Sequence, residues 1–386
     1  MKILVAPNAL KGSLDPIEAA RAIAEGLARS LPAAEIVELP IADGGDGTAA
    51  VLVHALGGSF AEAIAEDPLG RARKASFGLI GDGQEAVIEV ARSSGLALLT
   101  PAECRPLMAT TYGAGQLVVA ALDRGCRRIA IALGGSATVD GGAGLIEALG
   151  VRLLDANGDR VPRGGGGLTR LAHIDVSAKD PRVAEADIVA VCDVDNVLLG
   201  GRGAARTFGP QKGATAEMVD RLEANLSHLA AVIERDLGRD VRALKHGGAA
   251  GGMAAGIAGI LEGRIESGAD FVLGRLDIRR RLVGIDVVFT AEGHIDRQTL
   301  ENKAPYALAR EARAAGVPVV ALAGGVSDDV RAEAFDQFDA LVPICPRPMP
   351  LEDAMRQARI HLVSAAERVG QVLGLGGRLA LSGGLS

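Results

Sequence analysis

Aromatic side chains are nearly absent: Phe, Tyr and Trp together make up 2% of the chain, and Trp does not occur. A core built without them must be aliphatic, and the 48% of residues that are hydrophobic are mostly Ala, Val, Leu and Ile. Cores of that kind suit parallel sheets covered by helices. Cysteine is scarce as well. Cys104, Cys126, Cys192 and Cys345 form no Cys-x-x-Cys pair, and their spacing fits neither a zinc site nor a disulfide framework. They are expected to be small buried hydrophobes in a reducing compartment, so a cytoplasmic location is expected. Long basic runs are missing and the net charge is −7, which argues against a nucleic-acid surface. No apolar stretch is long enough to cross a bilayer, and no basic segment followed by an apolar one opens the sequence.

What is abundant is glycine. Fifty-two of 386 residues are glycine, about twice the usual fraction of roughly 7%. Most of the clusters follow strand-like runs. Tight turns account for many of them; backbone that comes close to a ligand is the other reading. The length suggests two domains rather than one.

The hydrophobic pattern at the two ends of the chain alternates between strand and helix. Residues 2–6 and 35–39 read as strands. Between them, Asp15 looks like an N-cap with Pro16 in the first turn, and Ile17, Ala20, Ala24, Leu27 and Leu31 share one face. The pattern breaks after about residue 60 and resumes near Ile285. Strands are then expected at 286–290, 317–323 and 339–343, with helices at 303–315, near 327–335 and at 351–373. Five strands alternating with helices predict an α/β fold with a flavodoxin-like doubly wound parallel sheet, formed by residues 1–60 and 284–374. Residues 61–283 would be a second α/β domain inserted in its middle. Strands are expected there at 85–91, 128–133 and 187–192, and a helix capped by Thr215. Residues 375–386 read as a flexible tail.

In an open α/β sheet ligands bind beyond the carboxyl ends of the strands, where the strand order reverses. With order 2-1-3-4-5, the loops at that point are 7–13 and 291–296. Lys11 and Ser13 precede a helix N-terminus, a setting that attracts anions; a solvated lysine and a turn-forming serine are the plainer reading. Asp43 and Asp46 sit in the glycine-rich run 42–48, as metal or hydroxyl ligands or as turn formers. The richest glycine loop, Gly134–Gly144, lies between a strand and a helix, as phosphate-cradling loops do. It is no Walker A loop, because no Gly-Lys-Ser/Thr ends it. Tight strand–helix packing is the alternative. Asp193 and Asp195 follow a strand end, spaced to hold Mg²⁺ or to accept a proton, with loop capping as the alternative. Lys212 is a further cation ahead of a helix.

Ten segments, in order, resemble the bacterial glycerate kinase family over nearly the whole chain. They are residues 6–13, 42–48, 67–71, 109–113, 134–142, 192–196, 208–214, 247–252, 292–299 and 303–305. The resemblance implies ATP and Mg²⁺ as cofactors and D-glycerate as acceptor, phosphorylated mainly at the 2-hydroxyl. A 3-phosphoglycerate product, another small hydroxy acid, or a noncatalytic sugar-acid sensor are the other readings, and a homodimer is left open. Departures from the family pattern are Leu10 for Phe, Val139 for Asn, Ala291 and His294 for Gly and Arg, and Asn302 for Gly.

On this reading Asp193 and Lys11 are the catalytic residues. Ser13, Asp43, Glu292, Asp296 and Arg297 hold glycerate. Gly134, Gly135, Ser136, Thr138, Asp140, Gly141 and Gly142 hold the ATP phosphates, and Asp193 and Asp195 the metal.

Overall fold

A computed structural model of the protein describes residues 1–297, 303–328, 333 and 336–383. Most of the helix expected near 327–335 falls outside the described residues, as do Gln298, Thr299, Asn302 and the last three residues. The chain forms two compact units, Met1–Asp43 with Ala269–Ser386, and Gly44–Gly268. Its strands in chain order are β1 (Lys2–Val5), β2 (Glu35–Glu38), β3 (Ser59–Glu66), β4 (Ala72–Ile80), β5 (Glu85–Glu89), β6 (Arg128–Ala132), β7 (Arg152–Leu154), β8 (His173–Asp175), β9 (Asp187–Cys192), β10 (Arg264–Ser267), β11 (Val287–Ile295), β12 (Val319–Val326) and β13 (Ala340–Pro343).

The first unit is a five-stranded sheet in the order β13-β12-β11-β1-β2, parallel throughout. Counted within the unit this is the flavodoxin order, with the switch point between β1 and β11. Alternate residues Ile3, Val5, Val287, Phe289, Val320 and Leu322 share one core with Ala19, Ile23 and Leu27 of helix Pro16–Ser30 and Leu362 and Ala366 of helix Ala358–Gly383. Asp15 caps the first of these helices by accepting the Glu18 N–H at 2.8 Å, a contact of the kind worth about 1 kcal/mol. The C-terminal helix runs on through Gly374, Gly376 and Gly377 into the stretch expected to be a tail. Glycine weakens a helix by about 1 kcal/mol per residue and does not by itself end one.

The second unit is a six-stranded sheet, β10-β9-β6-β5-β4-β3, with a separate hairpin of β7 and β8. The strands from β10 to β5 are parallel, and β4 and β3 continue the sheet antiparallel. The long helix Ala216–Leu237 starts where Thr215 accepts the Met218 N–H at 3.3 Å, and buries Leu222, Leu226 and Leu229.

Residues 44–60 lie with the second unit rather than the first. The Ala49 N–H is bonded to the buried Glu89 carboxylate at 2.9 Å, and a Cβ added to Gly78 of β4 would come 2.9 Å from Val53. Residues 269–283 lie with the first, tied to helix Ala304–Ala314 by Asp270–Arg310 at 3.0 Å and Arg279–Glu311 at 2.7 Å. Among the described residues no helix is long and apolar enough to cross a membrane. Cys126 and Cys192 are buried as expected; Cys104 and Cys345 are only partly so.

Candidate functional site

At the switch point of the first unit, β1 and β11 stay zipped beyond Val5. The Ala6 N–H donates to Phe289 O at 2.7 Å, and the Asn8 N–H to Ala291 O at 3.0 Å. The two loops expected to meet there do meet: a Cβ on Gly293 would come 3.2 Å from the Lys11 backbone nitrogen. Asp43 is buried and accepts from Asn8 Nδ2 at 3.2 Å. Glu292 is buried and Asp296 half-buried, and both face Lys303. Its ammonium lies 3.3 Å from Glu292 Oε1 and 3.7 Å from Asp296 Oδ1. Burial alone would lower the pKa of Lys303, but Glu292, Asp296 and then Asp43 outweigh it and hold the ammonium above its ordinary range. One buried cation is therefore held by two of the expected substrate-binding carboxylates, and the charge of a third, Asp43, acts on it.

The remaining expected residues of this unit behave differently. Lys11 is exposed and has no ion pair among the described residues. Ser13 spends its hydroxyl on Leu10 O at 2.9 Å, closing a turn. Arg297 is exposed, 3.4 Å from Glu333. His294 donates to or accepts from Ser327 Oγ at 2.9 Å.

In the second unit the glycine loop follows β6, beside the loops that leave β5 and β9. Its two halves differ. Asp140 is fully buried and its carboxylate accepts four hydrogen bonds: Thr111 N–H and Oγ1–H at 2.9 Å each, Gly142 N–H at 3.1 Å and Gly144 N–H at 3.3 Å. Burial nevertheless pushes its pKa up. The Gly141 N–H goes to Gly251 O at 3.0 Å. Gly144 meets the Thr110–Tyr112 turn so closely that a Cβ would lie 2.2 Å from Thr110 Oγ1. The 140–144 half is thus a packed joint whose donors are taken internally. The 134–138 half is open: Gly135 is exposed, at φ +71°. Gly134 has no room for a Cβ, which would sit 2.6 Å from Gly45 Cα, and a Cβ on Gly135 would come 3.2 Å from Asp46 Oδ1. Ser136 and Thr138 are buried behind it, and the Thr138 hydroxyl has no hydrogen-bond partner.

Lys212 stands behind this open half. It is buried and donates to Ser136 Oγ at 2.9 Å and to Thr138 O at 2.7 Å. Burial pushes its pKa down to about 7, against the pull of the Asp140 charge.

Asp193 is half-buried and Asp195 exposed, just past the end of β9. Asp195 lies 3.3 Å from both Lys245 Nζ and His246 Nδ1. Burial and then the Asp193 charge push the adjacent Cys192 thiol up to about 12, so it stays protonated and unreactive. No group of three or more His, Cys, Asp or Glu that could hold a metal occurs among the described residues. A pair of carboxylates is nonetheless the donor set that suits Mg²⁺ carried largely by phosphate oxygens.

Sequence reasoning noted Lys212 as a cation ahead of a helix but gave it no role, and did not single out Lys303, although both stand in the segments that carried the resemblance. The available signal was position: each precedes a helix and follows, or folds back on, a glycine-rich strand end. Burial, which sets them apart from surface lysines, has no sequence signature.

Residues 3–374 match the sequence model of the glycerate kinase family. The chain is 45% identical to a glycerate kinase of Bacillus subtilis, over 96% of this chain and 97% of that one. It is 41% identical to a glycerate 2-kinase of Escherichia coli K12, over 98% of this chain and 100% of that one. Among solved structures, one from Salmonella typhimurium LT2 named for glycerate kinase 2 superposes with a TM-score of 0.87. It is 41% identical, covering 98% of this chain and 99% of that one.

Proposed function

Because the chain belongs to the glycerate kinase family and is a kinase enzyme, we propose that it moves the γ-phosphoryl group of ATP to the 2-hydroxyl of D-glycerate, giving 2-phosphoglycerate and ADP. The observation that carries this reading is the likeness to glycerate kinases over the whole chain, with both candidate regions inside the matched span.

The chemistry requires the hydroxyl oxygen to attack the γ-phosphorus while the bond from phosphorus to the β-bridging oxygen breaks. The hydroxyl proton must leave, and ADP departs with the bridging oxygen. Positioning and charge neutralisation supply most of the acceleration in such transfers. In the first unit Lys303 lies against the carboxylates of Glu292 and Asp296, and the Asp43 charge acts on it as well. Such a cluster accepts hydrogen bonds from hydroxyls and repels carboxylate. Glycerate's hydroxyls would therefore lie against Glu292, Asp296 and Asp43, and its carboxylate against Lys11, Arg297 and the turn at Ser13.

In the second unit the open half of the glycine loop, at Gly134, Gly135 and Ser136, would take the phosphates. Thr138, Asp140, Gly141 and Gly142 would support it from behind. Asp193 would take the hydroxyl proton or, with Asp195, hold Mg²⁺. When bound, Mg²⁺ offsets charge on the phosphate oxygens.

The test is phosphoryl transfer by purified protein with ATP, Mg²⁺ and D-glycerate, read by phosphorus NMR. A 2-phosphoglycerate signal that requires both ATP and glycerate is expected. A 3-phosphoglycerate signal would move the site of transfer, and no transfer to glycerate by folded protein would overturn the reading.

A further inference from the structure

Lys212 occupies an uncomfortable place for a lysine. It is 3% exposed and among the described residues makes no ion pair. Its two partners, Ser136 Oγ and Thr138 O, are neutral. An ammonium so placed has lost its hydration and has a carboxylate, Asp140, acting on it only through charge and not as a hydrogen-bond partner, which is costly unless something else requires it. Both partners belong to the open half of the glycine loop, and they are two residues apart. Lys212 therefore spans the turn and fixes the separation between the Ser136 side chain and the Thr138 carbonyl.

The direction of these bonds matters. An ammonium can only donate, so Ser136 Oγ is the acceptor toward Lys212. The hydroxyl's own hydrogen must point elsewhere, and no acceptor for it is found among the described residues. Ser136 adjoins Gly135, where the loop reaches the surface. The Thr138 hydroxyl, also buried in this turn, has no partner. The Ala137 N–H between them is spent on Ser94 O at 2.9 Å, but two hydroxyl donors held from behind by a cation suit an anion in front of them.

We propose that Lys212 is a positioning residue for the nucleotide: by donating to Ser136 Oγ and Thr138 O it sets the 136–138 turn and leaves the Ser136 hydroxyl as a hydrogen-bond donor to a phosphate oxygen of ATP. Lys212 acts through Ser136 and does not itself touch the phosphate. The inference rests on the reading of this loop as the ATP phosphate site. The position of Lys212 close to neutrality agrees with it, because a phosphate in front of the turn favours the charged form.

The experiment is calorimetric titration of ADP with Mg²⁺ into the wild-type protein, Ser136→Ala, Lys212→Met and the double variant, with steady-state KM values for glycerate measured alongside. Loss of one hydrogen bond to a charged group corresponds to about tenfold in affinity. Ser136→Ala is expected to bind ADP about tenfold more weakly, with its glycerate KM close to wild type. Lys212→Met should lose at least as much, and the double variant no more than Lys212→Met alone. Should Lys212→Met fail to fold, Ser136→Ala still decides. Wild-type affinity in Ser136→Ala, or losses that add in the double variant, would overturn the proposal while leaving the ATP reading intact. A wild-type protein that binds no ADP would overturn both.

Discussion

The two units each bury a lysine beside a glycine-rich strand end, and they treat it in opposite ways. Lys303 in the first unit faces Glu292, Asp296 and Asp43, and its charge is held firmly in place. Lys212 in the second faces a hydroxyl and a carbonyl, and burial brings it down to about 7. The difference bears on what each region can bind. A lysine set among carboxylates is a poor site for an anion, and carboxylate oxygens are hydrogen-bond acceptors for hydroxyl groups. A lysine whose hydrogen-bond partners are neutral leaves carboxylates out of the loop it supports, and such a loop is suited to phosphate. Buried cations of the same type thus mark one region for a polyhydroxy acid and the other for a nucleotide.

The largest expected effect lies at the end of β9. If Asp193 takes the hydroxyl proton, Asp193→Asn should lower kcat by roughly 10²–10⁴-fold, measured at saturating ATP and glycerate. A rate like wild type would remove Asp193 from the chemistry and leave the second unit with nucleotide binding alone.

A second contrast is structural. Asp140→Ala strands the buried donors of Thr111, Gly142 and Gly144 and should cost about 3–5 kcal/mol by urea unfolding. Asp43→Ala strands one hydrogen-bond donor, Asn8 Nδ2, and removes a charge that acts on Lys303; it should cost about 1–2 kcal/mol. Equal losses would mean that the packed half of the glycine loop is no more a structural joint than the switch-point loop is.

A further effect is on the pH dependence of stability. Lys212 is near 7 in the folded protein and near 10.4 when unfolded. Between these values the unfolded chain binds more protons, so Lys212 makes stability rise with pH from about 7 to about 10. Lys303 is shifted up, so its contribution is present throughout that window and is lost only as pH passes its folded value. Cys192, raised to about 12, works against stability above its unfolded pKa of about 8.5. Subtracting the urea-unfolding curve of Lys212→Met from that of wild type removes the Cys192 contribution. The difference should rise from pH 7 to 10, and a flat difference would contradict the assignment. The same subtraction with Lys303→Met should give no rise.

Much of this arrangement was legible in the sequence. The five strands of the first unit, their flavodoxin order and the Asp15 and Thr215 caps follow from apolar periodicity and from polar residues at helix starts, which act locally. The antiparallel pair β3 and β4 did not announce itself. β3, with sequence Ser-Phe-Ala-Glu-Ala-Ile-Ala-Glu, is largely exposed, so little burial is written into its pattern. The unit boundaries shifted for a related reason: residues 44–56 join the second sheet through single contacts such as Ala49–Glu89, which no local pattern encodes. At the site, carboxylates and glycines stood out by composition and spacing. What separates Gly135 from Gly142, or Lys212 from a surface lysine, is which donors are already spent, and that is decided by residues 29 to 76 positions away.

The most direct test of the contrast is initial-rate kinetics of Lys212→Met and Lys303→Met, each varied in both ATP and glycerate. The account predicts a crossed pattern: Lys212→Met raises KM for ATP about tenfold with little change for glycerate, and Lys303→Met does the reverse. Two variants that shift the same KM, or shift both equally, would contradict the division of labour between the two regions.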